Sequence, residues 1–140
     1  MKVRCIQNEL TDRQRSELGS HASQNFAVTK EKTYLVLGIW YLYKSAYIGS
    51  GVFMLVIGDH GYPVPVPLVL FEVVDPRPSC KWTLTKDGEY EASLLPRELQ
   101  DKYFIDRLTD GERDDVEIFK KLVVDLENEF EPVQFIKRSS

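Results

Sequence analysis

The first half of the chain alternates short apolar runs with turn-forming residues, a pattern that predicts β-strands. Residues 3–6 predict a short strand, and residues 33–43 and 52–57 predict two longer strands that the turn-rich segment 44–51 connects. In residues 33–43 both alternating sets are apolar, whereas a half-buried strand carries polar side chains on one face. We therefore expect this strand either to be covered on both faces or to offer its outer face to a partner.

Strict alternation along this strand assigns its side chains to two faces. One face holds Tyr34, Val36, Trp40 and Leu42, and the other holds Leu35, Leu37, Ile39, Tyr41 and Tyr43. Farther on, prolines at alternate positions of residues 62–67 remove ladder donors, which predicts an edge strand or an extended crossing. Residues 68–74 predict a short turn and a closing strand.

The second half changes from a strand pattern to a helix pattern. Residues 81–85 and 90–94 predict a hairpin that turns at Asp87-Gly88. Near residue 95 the apolar repeat lengthens from about 2 to about 3.6 residues, which predicts helices from there on. Pro96 is well placed as the first residue of one helix. Its inward-facing residues are predicted to be Leu99, Tyr103 and Phe104.

Capping signals set the expected ends of two further helices. Thr11 and Gln14 have the spacing of a capping box, and Gly19 is placed to end that helix. Thr109 and Glu112 have the same spacing and predict the start of a last, amphipathic helix of about five turns. The apolar face of that helix comprises Val116, Phe119, Leu122, Val123, Leu126 and Phe130, and Pro132 ends it.

Together these patterns predict an α+β fold in a single domain, residues 1–140. A small antiparallel β-barrel occupies residues 1–75, and residues 76–140 hold the hairpin that extends it and two C-terminal α-helices packed on it.

Several residues of the first half carry a resemblance to a known module. Three features of this kind follow one another along the chain: Tyr34 and Val36 in the first long strand, the turn Gly58-Asp59-His60-Gly61, and the segment from Pro67 through Phe71-Glu72-Val73. Residues 28–75 thereby resemble small bacterial and phage Src-homology-3-like barrel modules, although Lys30-Glu31-Lys32 stands where Gly-Lys is commoner. The resemblance implies an antiparallel barrel.

Charge is distributed unevenly along the chain. The net charge is −4, but residues 1–86 hold 10 Lys/Arg and 7 Asp/Glu, whereas residues 87–131 hold 6 Lys/Arg and 15 Asp/Glu. Lys137 and Arg138 add two positive charges at the end. The acidity therefore belongs to one segment, and the negative net charge argues against nucleic acid as the main partner.

The chain shows no targeting or membrane signal. Its first residues lack the apolar stretch of a signal peptide, and residues 44–51 interrupt the apolar stretch 34–57 with a polar turn. We expect no membrane association and a cytoplasmic location. Cys5 and Cys80 form no metal-binding pattern, and two buried thiols are expected rather than the alternative, one disulfide.

A catalytic site would need convergent nucleophiles, bases or metal ligands. His60 beside Asp59 is the best candidate for a general base, but a turn bounded by glycines explains the pair more simply. His21 lies in a polar loop without a partner nearby in sequence, and the carboxylates of residues 112–117 lack the spacing of a calcium loop. The chain also has no glycine-rich phosphate motif. We expect no enzymatic activity, no metal and no cofactor.

Two binding functions remain open. Surface aromatics of a barrel can stack nucleic-acid bases or bind another protein, and the candidates are Trp40, Tyr41, Tyr43, Tyr47, Phe53 and Tyr62. Only Lys30, Lys32 and Lys44 accompany them, so packing is the favoured interpretation of these aromatics.

The other function follows from the acidic segment. The layout of a barrel followed by acidic helices resembles small bacterial proteins, some of which are immunity proteins of contact-dependent growth inhibition and other polymorphic toxin systems. Immunity proteins share no motif, so the site is inferred from charge: a basic nuclease-type toxin domain would meet an acidic surface. The candidate residues are Glu98, Asp101, Tyr103, Asp106, Asp110, Glu112, Asp114, Asp115 and Glu117. The alternative is that these acids form only a solubilising face.

Overall fold

A computed structural model describes residues 1–19, 26–45 and 49–130 of the chain. Within these ranges it is an α+β protein with seven antiparallel strands. The strands are β1 (Lys2–Cys5), β2 (Thr33–Ser45), β3 (Gly49–Ile57), β4 (Pro63–Pro67), β5 (Phe71–Asp75), β6 (Thr83–Asp87) and β7 (Glu91–Leu95). The helices are α1 (Asp12–Leu18), α2 (Phe104–Thr109) and α3 (Arg113–Asn128), with short 3-10 segments at Leu68–Leu70 and Arg97–Gln100.

The long strand β2 organises the sheet. Its start pairs with β1, its residues 39–41 pair with β7, and β3 runs along its other edge. The sheet order is β4-β3-β2-β1-β5, and the β6–β7 hairpin extends β2 as expected. Because β4 and β5 end this path without pairing with each other, the sheet is open. The closed barrel expected from the sequence is not confirmed. The proline-rich strand β4 does lie at an edge.

A bulge in β2 changes which side chains share a face. Val36 pairs with Val56 and Gly38 pairs with Leu55, so Leu37 has no counterpart in the register. Beyond the bulge Ile39 joins the face of Tyr34 and Val36. The strict alternation predicted for this strand is therefore wrong from residue 39 onward, because one extra residue shifts the side-chain period.

Two hydrophobic cores lie on opposite faces of the sheet. The first contains Val3, Cys5, Leu10, Phe26, Val28, Tyr34, Val36, Ile39, Met54, Val56, Val66, Leu70 and Phe71. The second lies under the C-terminal helices and contains Leu37, Leu55, Leu95, Leu99, Phe104, Leu108, Phe119, Leu122 and Leu126. The first part of β2 is thus covered on both faces, one of the two outcomes expected. Farther along, Tyr41 and Tyr43 are exposed.

The first helix is built as its capping signals predict. The Thr11 hydroxyl accepts a hydrogen bond from the backbone N–H of Gln14, whose side chain accepts one from the backbone N–H of Thr11. Gly19 ends α1 with a φ of 71°, in the left-handed region that favours glycine.

The helix expected from Pro96 is interrupted. A 3-10 segment follows Pro96, and Asp101 is extended, because its carboxylate accepts a hydrogen bond from the backbone N–H of Tyr103 in place of helical pairing. Leu99 and Phe104 are buried as predicted, but Tyr103 is 58% exposed, so its predicted inward position is wrong.

The second capping box is also wrong. Thr109 belongs to α2, and its hydroxyl donates to the carbonyl oxygen of Ile105. Gly111 then turns the chain, and Glu112 precedes α3 without a side-chain capping bond. The predicted end at Pro132 lies outside the described residues, as do Lys137 and Arg138.

The two cysteines are both free thiols, and no disulfide joins them. Cys5 is buried as predicted, and burial raises the pKa of its thiol. Cys80 is exposed, which corrects the expectation of two buried thiols. None of the helices in the described ranges combines the length and apolar character that crossing a membrane requires.

Candidate functional site

The nine residues selected from the charge pattern lie on one continuous segment of the helical layer. Glu98 is in the 3-10 segment, Asp106 is in α2, Asp110 and Glu112 lie in the α2–α3 connection, and Asp114 is in the first turn of α3. The others are Asp101, Tyr103, Asp115 and Glu117.

Arg107 engages two of these carboxylates. Its Nη2 lies 2.8 Å from Asp101 Oδ2, and its Nε lies 3.2 Å from Asp115 Oδ2. The hydrogen bond from Arg107 lowers the pKa of the Asp101 carboxyl. The Asp115 side chain is only 14% exposed. Asp101 and Asp115 therefore hold α2 against its neighbours, although the Asp101 side chain stays 47% exposed.

The remaining acids are differently placed. Within the described residues, no ion-pair partner lies within 4.0 Å of the carboxylates of Glu98, Asp106, Asp110, Glu112 and Asp114. Glu117 lies 3.9 Å from Lys120. Together with exposed Tyr103, these six carboxylates form what we call the acidic surface. A largely exposed aromatic among acids of which five have no ion-pair partner in the described residues is suited to binding a cationic protein surface.

The Asp59–His60 pair serves the turn before β4. The Asp59 carboxylate accepts hydrogen bonds from Thr29 Oγ1 at 2.6 Å, from Tyr34 Oη at 2.8 Å and from Lys32 Nζ at 3.1 Å. The hydrogen bond from Thr29, followed by that from Tyr34, lowers the pKa of Asp59. His60 Nδ1 accepts from the backbone N–H of Tyr62 at 3.1 Å. These bonds fasten the turn to the start of β2. The other histidine, His21, lies outside the described residues.

The aromatic residues singled out in the sequence do not share one surface. Phe53 is fully buried, and Trp40 packs against the second core. Tyr43 is exposed and pairs with Tyr90 at the tip of the β6–β7 hairpin, with 4.9 Å between ring centroids. Tyr62 lies in the turn beside His60. Tyr47 is outside the described residues.

Sequence reasoning missed a groove where the helical layer ends. The groove has a volume of about 700 Å³ and crosses the sheet face that carries the second core. Leu95 and Leu99 belong both to that core and to the groove, and Trp40, which packs against the core, also lines the groove. The Gln100 side-chain amide donates to the Leu95 carbonyl oxygen at 3.2 Å, which fastens the groove wall to β7. The other lining residues include Leu42, Pro65, Thr85, Asp87, Glu91, Ser93 and Lys102.

One sequence signal pointed toward this groove. Glu91 and Ser93 share a strand face with buried Leu95. A polar pair on the core-facing side of a strand indicates that the helical layer covering that face ends there.

No group of three or more His, Cys, Asp or Glu side chains in the described part of the chain is arranged to hold a metal ion. Comparison with protein-family models, curated proteins and solved structures finds no match to this chain.

Proposed function

We propose that this chain is a non-catalytic binding protein that neutralises a basic, nuclease-type bacterial toxin domain in the cytoplasm by covering it, as immunity proteins do. The observation that supports the proposal is the acidic surface, where five carboxylates without an ion-pair partner in the described residues accompany exposed Tyr103.

Physical chemistry connects this surface to such a partner. A nuclease must attract phosphates, so its active face is basic. Opposite charge on an inhibitor accelerates encounter and selects that face over other surfaces. The chain has eight carboxylates and three basic residues between positions 98 and 117, so the segment keeps a net negative charge. Tyr103 adds an aromatic side chain of the type that often contributes most to a protein interface.

A second candidate function uses the exposed Tyr43–Tyr90 pair. In this alternative a Src-homology-3-like module binds nucleic acid or another protein through its aromatics. Glu89 and Glu91 flank Tyr90 in sequence, and Glu91 Oε1 accepts from the Tyr43 backbone N–H at 3.4 Å. Carboxylates beside the rings repel phosphates, so this pair is better suited to a protein than to nucleic acid.

The proposal is tested by co-expression with the product of each neighbouring gene, because immunity genes lie beside their toxin genes. The expected result is that one neighbour is toxic alone, harmless with this chain, and forms a stable complex with it. If a toxic neighbour stays toxic and unbound, or if no neighbour is toxic, the proposal is overturned. A titration with single-stranded DNA and RNA at two salt concentrations tests the alternative, for which tight, salt-sensitive binding is expected.

A further inference from the structure

The side chains along the floor of the groove beside Trp40 become more polar from its inner end to its outer end. Trp40 pairs with Ser93, and Ser93 pairs with Thr85, so these three side chains cross the sheet in one row. The next row outward contains the cross-strand pair Glu91 and Asp87. Leu95 closes the inner end on the same strand face. From the inner end outward, the strand positions on the floor therefore carry apolar, then hydroxyl, then carboxylate side chains.

The two carboxylates of the outer row leave the hairpin on the same face, where Glu91 Oε1 accepts a hydrogen bond from the Tyr43 backbone N–H. Asp87 and Glu91 are direct cross-strand partners, an arrangement in which like charges destabilise a sheet. Neither has an ion-pair partner within 4.0 Å among the described residues. A cation placed between them would remove this repulsion.

The lysines near the groove do not supply that cation. Lys102 lines the groove, but its ammonium lies 5.0 Å from the centroid of the Tyr103 ring. Lys86 also lines the groove, but it alternates with Thr85 and Asp87 along β6, so its side chain starts from the opposite face of the sheet, and no carboxylate in the described residues lies within 4.0 Å of its ammonium.

We propose that this groove receives an arginine or lysine side chain, flanked by apolar residues, from the partner protein. The apolar neighbours would pack against Trp40 and Leu99, and the cationic group would lie between Asp87 and Glu91. Charge complementarity selects this occupant: an acidic segment would meet the two carboxylates, and a purely apolar one would leave their repulsion in place. The inference rests on the proposed function for the basic character of the partner, but it concerns a surface separate from the acidic surface.

The test uses two peptides and the full chain. The ¹⁵N-labelled protein is titrated with acetylated, amidated Ala-Leu-Arg-Leu-Ala and with its matched counterpart Ala-Leu-Glu-Leu-Ala. The expected result is saturable chemical-shift change at the Trp40 indole N–H and the amides of Thr85 and Ser93. The arginine peptide should bind at least about tenfold more tightly than the glutamate peptide.

Two variants locate the effect. Asp87→Asn with Glu91→Gln should weaken the arginine peptide about tenfold while keeping the fold, because the glutamine oxygen can still accept from the Tyr43 N–H. Asp106→Asn with Asp114→Asn on the acidic surface should leave peptide binding unchanged.

Equal affinity for both peptides, shifts confined to the acidic surface, or no saturable shift up to about 5 mM would overturn the groove inference. None of these results depends on the neighbouring toxin, so they are distinct from a failure of the proposed function, which the co-expression experiment reports.

Discussion

The indole N–H of Trp82 donates a hydrogen bond to the carbonyl oxygen of Leu37, with 3.0 Å between the two atoms. Leu37 lies at the β2 bulge, between the segment that pairs with β1 and the segment that pairs with β7. Strand pairing is interrupted there, and Trp82, just ahead of β6, supplies a donor to the backbone. Its ring packs partly against the first core. One side chain thus connects the two halves of the sheet.

Replacing Trp82 by Phe should lower the free energy of unfolding by about 1–3 kcal/mol, because a carbonyl group in the sheet loses its donor and the smaller ring packs less well. Urea denaturation followed by circular dichroism measures this change. Leu84→Ala, at a side chain that is 66% exposed, is the control and should cost about 0.5 kcal/mol or less. Equal stability of the Trp82 variant and the wild type would show that the hydrogen bond is not structural.

Gly38 allows β7 to lie close to the bulge. A Cβ atom at this position would lie 2.8 Å from the Leu94 carbonyl oxygen and would also meet the Leu95 side chain. Because β7 is hydrogen-bonded to β2, that backbone oxygen cannot move freely. Gly38→Ala should therefore cost about 1–3 kcal/mol in thermal or urea unfolding. The control, Ser93→Ala on the neighbouring floor position, should be close to wild type, and a stable Gly38 variant would contradict this account of the packing.

Capping signals in the sequence predicted the structure correctly where contacts between neighbouring residues determine it. Thr11, Gln14 and Gly19 define α1 through contacts within one helix. The bulge at Leu37 was hidden because both faces of the strand are apolar there, so the pattern is the same with or without an extra residue. Asp101 interrupts the helix predicted from Pro96 through one side-chain hydrogen bond, which helix propensities do not predict. The groove depends on where the helical layer ends, which is a long-range property.

The acidic candidates were predicted from charge alone, and charge does not distinguish a free carboxylate from a paired one. Arg107 separates the two groups by binding Asp101 and Asp115. Asp115→Asn should lower the melting temperature, because Arg107 loses a partner in a mostly covered position. Arg113→Ala on the exposed side of α3 serves as the control and should melt like the wild type. A melting temperature unchanged by Asp115→Asn would mean that Asp115 is available to a partner after all.

Acid should destabilise the fold partly through two carboxyls. The pKa of Asp75 is lowered from 3.8 to about 2, chiefly by the side-chain hydrogen bond from Arg77, and the pKa of Asp59 is also lowered. A depressed pKa in the folded state stabilises the protein above the unfolded value of 3.8, and this contribution disappears as pH falls toward about 2. Between these two pH values, the free energy of unfolding should fall less steeply with decreasing pH for Arg77→Ala than for the wild type. An unchanged slope would contradict the assignment.

The central claim is that the acidic surface docks on a basic toxin domain, and the most direct measurement is the association rate. Asp106→Lys with Asp114→Lys changes two carboxylates that lack ion-pair partners in the described residues. Glu9→Lys with Glu17→Lys gives the same charge change outside both this surface and the groove.

The rate is measured by stopped flow with the toxic neighbour at low and moderate salt, together with the melting temperature of each variant. The account predicts association at least about tenfold slower for the first variant, a smaller difference at higher salt, and near-normal rates for the second. Equal slowing of both variants, or no slowing of the first, would contradict it.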